Sequence, residues 1–148
     1  MKISRKTDYA LRTVLDLALH DQQVVPGPDI AKRQDIPLKF LEQILLALKG
    51  AGLVTSRRGK NGGYLLAKRP SKITLASIVG VSEGSLSLLP NAGEFVGPAT
   101  AAEVESPLRE VWADIDDYIA AKLQEATVQS LCDRVAELSG VRGIQYVI

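Results

Sequence analysis

Apolar residues recur along this chain with two different periods, and the points where the period changes mark its elements. Over residues 5–20, Leu11, Val14, Leu15 and Ala18 stand three and four apart, the spacing of an amphipathic helix. Val24–Val25 follow as a short strand-like pair. Gly27 sits at a helix cap, and Pro28 opens a second helix, where its missing N–H is harmless. That helix runs to about Gln34 and stops before Ile36–Pro37, because proline disfavours helical backbone in its predecessor. A third helix extends from Leu38 to about Gly50. Leu38, Leu41, Ile44, Leu45 and Leu48 cover one face, and steps of 100° place Lys39 and Gln43 at the centre of the other. Gly50 and Gly52 end it. Two short helices with three or four residues between them form a helix-turn-helix pattern.

The period then changes. Leu53–Arg57 and Tyr64–Ala67 read as the arms of a hairpin joined by a loop over Arg58–Gly63. Gly59, Gly62 and Gly63 permit a tight tip, and Arg57, Arg58, Lys60 and Asn61 make that tip a row of donors. A cationic hairpin directly after a helix-turn-helix is a wing, and the order is more specific than either part. Pro70 marks a boundary, and Thr74 caps a short helix over Leu75–Val81 that closes the winged unit.

Residues 83–105 lack periodicity and are rich in Gly, Ala and Pro, so they read as a long loop. Ser106 caps the next helix with Pro107 at its first position. Leu108, Val111, Trp112, Ile115, Ile119 and Leu123 form a stripe that so small a domain cannot cover alone, which points to a partner subunit. A last helix capped by Thr127 carries Val128, Leu131, Cys132, Val135 and Leu138 on one face, and the tail GVRGIQYVI has strand-like composition. The expected fold is mainly α with a small β-hairpin wing: a winged helix-turn-helix over 1–82, a loop over 83–105 in the position of a sensor, and a dimerisation helix, C-terminal helix and tail over 106–148.

Charge changes what this fold suggests. The net charge is only +1, but residues 1–72 hold 14 Lys and Arg against 6 Asp and Glu, and residues 73–148 hold 4 against 11. A basic half joined to an acidic half places a polyanion at one end. No apolar run is long enough for a membrane span, and the charged opening MKISRK does not read as a leader, so a cytoplasmic protein is expected. One cysteine, Cys132, excludes a disulfide or a cysteine-built metal site within one chain.

With these features in place, the stretches SRKTDYALR, VPGPDIAKRQDIPLKFLEQILLALKGAGLV and RRGKNGGYLLAK are similar to the IscR/NsrR/CymR family of bacterial winged-helix transcription regulators. Tyr9–Ala10, Leu41–Glu42–Gln43 and Gly62–Gly63–Tyr64–Leu65 are the most telling pieces. The resemblance covers residues 1–81 closely and extends less specifically through the helix containing Trp112. It implies a homodimer held by that helix, with each recognition helix and wing on one operator half-site. Many members hold an iron–sulfur cluster on three cysteines in the loop before the dimer helix. Here that loop has none, so no cofactor and no metal site are expected. Asp8, where some members place a further cluster ligand, then reads as a carboxylate favoured by the helix dipole, and His20 as a cation favoured at the other end of the same helix. Cys132 reads as a small core residue.

The expected contacts follow from side-chain type. Lys39 and Gln43 have the reach and donors to read base edges in the major groove, and Glu42 offers an acceptor for cytosine N4. The resemblance also implies that Glu42 and Gln43 lie at the DNA interface. Phe40 either touches a thymine methyl or packs on the first helix, and packing is favoured. Arg5, Lys6, Lys32 and Arg33 bind phosphates. Arg58 and Lys60 enter or flank the minor groove, and Arg57, Asn61, Gly62, Gly63 and Tyr64 complete the wing. The function expected is a sequence-specific regulator, a repressor, on a partly palindromic operator. The rival is a winged-helix adaptor that binds a protein. An enzyme is not expected, because the single His and single Cys stand far apart and no phosphate-cradling or triad motif is present. The cysteine-free segment 83–105 leaves three options for the input: a small molecule, a partner protein, or no signal beyond the protein's own abundance; Leu86, Leu88, Leu89, Phe95 and Val96 make that segment apolar, and packing on the dimer helix is their expected role.

Overall fold

A computed structural model describes residues 2–88 and 99–147. α1 spans Arg5–Leu19, and the Ser4 hydroxyl caps it by accepting from the Thr7 N–H at 3.2 Å. Its buried face is Ala10, Val14 and Leu17, with Leu11, Leu15 and Ala18 at the margin. α2 runs Gly27–Gln34, one residue earlier than expected, and ends at Asp35, whose φ of 51° is left-handed. α3 spans Leu38–Gly50 as the pattern predicts. Leu41, Ile44, Leu45 and Leu48 are buried, each worth about 1.5–3 kcal/mol of transfer free energy. Leu38 departs from the pattern and is exposed at the first turn. Gly52 reverses the chain after α3 with φ 75°, and the Leu53 N–H returns to the Leu48 carbonyl at 3.0 Å.

β1 (Val54–Arg57) and β2 (Gly63–Leu66) pair antiparallel, from Val54 opposite Leu66 to Arg57 opposite Gly63. The expected Val24–Val25 strand is reduced to one bridge, in which Val25 and Tyr64 exchange two backbone hydrogen bonds of 2.8 Å. That close approach explains Gly63, where a β-carbon would collide with the Val25 carbonyl. A 3₁₀ turn at Pro70–Lys72 leads to α4, Leu75–Glu83, capped by Thr74 as expected.

Two C-terminal expectations are corrected. The long helix α5 spans Ala99–Glu125 and does not begin at Ser106; Pro107 lies inside it. The stretch from Ala99 to Ser106 is rich in Ala and Glu, strong helix formers. Pro107 and Glu103 are exposed, so water can satisfy the carbonyl that proline leaves without a donor. The expected 83–105 loop therefore loses its last seven residues to α5. The last helix α6 spans Val128–Val147, so the tail is helical and not strand-like: a helix already nucleated propagates at little further cost, even through glycine. Leu89, Phe95 and Val96 lie outside the described residues.

The corner between α5 and α6 is stitched to the winged unit. The Leu75 N–H donates to the Ala126 carbonyl at 2.9 Å, the Val128 N–H to the Ile73 carbonyl at 2.8 Å, and Val128 is fully buried. α6 packs on α1, and Cys132 lies against the core. The α5 stripe divides. Leu108, Val111, Trp112 and Ile115 stay exposed, joined by Val104 and Tyr118. Ile119 and Leu123 instead turn toward α4, where with Val79, Gly80 and Leu86 they line a cleft of about 530 Å³. Among the described residues no helix is long and apolar enough to cross a membrane.

Candidate nucleic-acid interface

The outer face of α3 exists because its inner face is committed to the core. With Leu41, Ile44, Leu45 and Leu48 inward, helical geometry sends Lys39, Phe40, Glu42, Gln43 and Leu46 to solvent. Phe40 packs on the first helix, its ring meeting Tyr9 of α1 edge-on at 6.3 Å and 82°, while about half of it stays exposed. At the far end of α3, Lys49 donates from Nζ to the Ser56 hydroxyl at 2.7 Å and ties the helix to β1. The hairpin then presents Arg57, Arg58, Lys60 and Asn61 to solvent, with Gly62 and Tyr64 half-buried below. Gly62 is needed there, since a β-carbon would strike the Arg57 carbonyl.

Ion pairing separates the two ends of the molecule. Arg109, Lys122 and Arg134 of α5 and α6 all pair with a carboxylate on their own helix. Arg5, Lys6, Lys32, Lys39, Arg57, Arg58 and Lys60 are exposed and in no ion pair among the described residues. Positive charge outside any ion pair is thus found at the start of α1, on the two helices of the helix-turn-helix and on the wing, a distribution suited to a polyanion.

Arg33 is the exception within the expected set. Its guanidinium grips Asp16 of α1 through Nε to Oδ2 at 3.0 Å and a terminal nitrogen to Oδ1 at 2.8 Å. Gln34 adds a third donor at 2.8 Å. Burial pushes the Asp16 carboxyl up, but these hydrogen bonds, with the charges of Arg33 and His20, outweigh it and hold the group below its ordinary range. Arg33 therefore clamps α2 to α1. His20 accompanies it, its Nδ1 2.7 Å from the Asp16 carbonyl. Asp8 pairs with Arg12 one turn on. Arg12 is the residue the sequence reading missed: it donates to the Gln34 carbonyl at 2.6 Å and stacks 5.0 Å above the Tyr9 ring, joining α1, the end of α2 and the Tyr9–Phe40 contact. Its i, i+4 spacing from Asp8 was the available signal.

A profile of the Rrf2 family, described as iron-dependent transcriptional regulators, matches residues 3–134. The transcriptional regulator IscR of Photorhabdus laumondii is 35% identical over 147 residues, covering 98% of this chain and 87% of that protein. Among solved structures, CymR, the global cysteine regulator of B. subtilis, superposes with a TM-score of 0.76 at 32% identity, covering 90% of this chain and 98% of that one. The IscR of T. potens gives 0.73 at 30% identity, over 93% and 90% of the two chains. The family description invites a test for iron. The donor set does not fit a thiolate-held cluster: residues 83–105 contain no Cys or His, Cys132 packs on the core, and burial, then the charge of Asp133, pushes its thiol up and away from the thiolate a metal needs. No cluster of three or more His, Cys, Asp or Glu suited to a metal occurs among the described residues.

Proposed function

From the premise that this chain belongs to the Rrf2 family, DNA-binding transcriptional regulators and not enzymes, we propose that it is a cytoplasmic homodimeric repressor that binds a partly palindromic operator without a cysteine-ligated iron–sulfur cluster. The observation that carries this reading is the set of exposed, unpaired cations and amides on α3 and the wing. Lys39, Gln43 and Glu42 read base edges in the major groove. Arg5, Lys6 and Lys32 anchor phosphates, and Arg58 and Lys60 flank the minor groove. Arg57, Asn61 and the backbone of Gly62–Tyr64 shape the wing. The exposed face of Val104, Leu108, Val111, Trp112, Ile115 and Tyr118 is the dimer seam. Residues 83–105 receive the effector, and the dimer's two-fold axis sets half-sites a whole number of helical turns apart.

The test is binding of the purified protein to its own upstream DNA and to a scrambled duplex across a salt series. Specific binding falls steeply with salt. Lys39→Ala and Gln43→Ala each reduce discrimination by about 1–3 kcal/mol, whereas Arg58→Ala weakens both duplexes alike. Equal loss on both duplexes for Gln43→Ala refutes the base-reading role. Weak, equal binding by the unmodified protein, with effector fractions added, favours a protein-binding adaptor instead.

A further inference from the structure

The base of α4 and the start of α1 meet in a polar cluster far along the chain. The Glu83 carboxylate oxygen accepts from the Ser4 N–H at 3.0 Å and from the Thr7 hydroxyl at 2.5 Å. Thr7 is fully buried and also contacts the Ser82 hydroxyl at 2.7 Å. These hydrogen bonds, from Ser4 first and then Thr7, hold the Glu83 carboxyl below its ordinary range, and the nearby Lys6 adds to the effect. The turn so held is the one that carries Arg5 and Lys6. Glu83 ends α4, and the chain then turns at Gly84, with φ 75°, onto α5. There the Asp116 carboxylate accepts from the Ser87 hydroxyl at 2.6 Å and from the Leu88 N–H at 2.8 Å. Within six residues, therefore, one strap grips the DNA-facing turn of α1 at one end and the long helix at the other.

We propose that Glu83 is a positioning residue for DNA binding, and that the strap Glu83–Leu88, pinned to Asp116, couples the setting of the long helix to the phosphate-contacting turn at Arg5–Lys6. The proposal rests on the DNA-binding reading. Its physical basis is that an N-terminal helix turn is otherwise held only by its own cap and frays readily. Ser4 supplies such a cap, and Glu83, with Ser82 beside it, ties that turn to the end of α4. Anything that shifts α5 or the strap is transmitted to Arg5 and Lys6 as a change of position.

The experiment compares the intact protein with Glu83→Ala, Glu83→Gln and Asp116→Ala. The readouts are the salt dependence of binding to the upstream duplex and amide hydrogen exchange over residues 2–8. Each phosphate contact contributes about 0.9 to the logarithmic salt slope, so freeing Arg5 and Lys6 in both protomers lowers it by roughly 2–4. Glu83→Ala and Asp116→Ala are expected to lower the slope and to speed exchange over residues 2–8. Glu83→Gln, which keeps the accepting oxygen, is expected to stay near the unmodified protein. A merely destabilising substitution lowers the active fraction but leaves the slope unchanged. An unchanged slope and unchanged exchange in Glu83→Ala overturn the proposal. An effect of Glu83→Ala without one from Asp116→Ala overturns the link to the long helix. Failure of the unmodified protein to bind DNA refutes the DNA-binding reading instead, and the exchange measurement still judges the Glu83 contact.

Discussion

Replacing Arg33 with Met removes two of the three side-chain donors on a carboxylate that is almost completely buried. Asp16 is only 3% exposed, and in the variant it keeps one neutral amide, from Gln34, and the nearby His20. Breaking a buried pair by deleting one partner typically costs about 3–5 kcal/mol. Arg33 itself is 39% exposed along its side chain, so water already screens part of the attraction, and about 3 kcal/mol is the value to expect. Removing the other partner is cheaper. Asp16→Asn leaves Arg33 free to return to water and keeps one accepting oxygen, so about 1–2 kcal/mol is expected. The two variants also differ in pH response. In the unmodified protein the Asp16 pKa is depressed, so its contribution is complete above the ordinary value near ~3.9 and is lost as pH falls through the lower folded value. In Arg33→Met burial is opposed only by the Gln34 hydrogen bond and the charge of His20, so the folded pKa rises and protonation relieves the buried charge. The stability gap between the two proteins therefore narrows as pH falls through the variant's raised pKa, by about 1.4 kcal/mol for each unit by which protonation is eased. Urea unfolding followed by circular dichroism, at one protomer concentration throughout, measures this. Equal costs for Arg33→Met and Asp16→Asn, or a gap that does not narrow with acid, would refute the account of the clamp.

Three further outcomes follow from other parts of the structure. Trp112→Glu places a charge on the exposed α5 face proposed as the dimer seam and should weaken dimerisation by about 2 kcal/mol or more, read by sedimentation equilibrium; an unchanged association constant would refute that seam. Gly52→Ala meets no neighbouring atom but forces a side chain into a left-handed backbone, so a loss of about 1 kcal/mol is expected in urea, and none would mean that the turn relaxes. Cys132, its thiol pushed up by burial, should react with a disulfide reagent at neutral pH far more slowly than after unfolding; equal rates would place it in solvent.

Local chemistry, carried by the sequence alone, determined α2, α3 and the hairpin, because their spacing, prolines and glycines act within a few residues. The boundaries of α3, the Thr74 cap and the donor-rich wing were all legible on that basis, and so was the outward face of Lys39 and Gln43, since one helix period decides it. Tertiary structure decided what depends on partners distant in the chain. Nothing near Arg33 announces Asp16, 17 residues earlier, and nothing near Glu83 announces Ser4, 79 residues earlier. Ile119 and Leu123 share a period with Leu108 and Trp112, yet the stitching of residues 126–128 to 73–75 turns only the former pair toward α4. The start of α5 at Ala99 was hidden because a proline that usually opens a helix is also tolerated within one where the carbonyl it leaves without a donor faces solvent. Periodicity records which face a helix can bury; only the packed chain determines what meets that face.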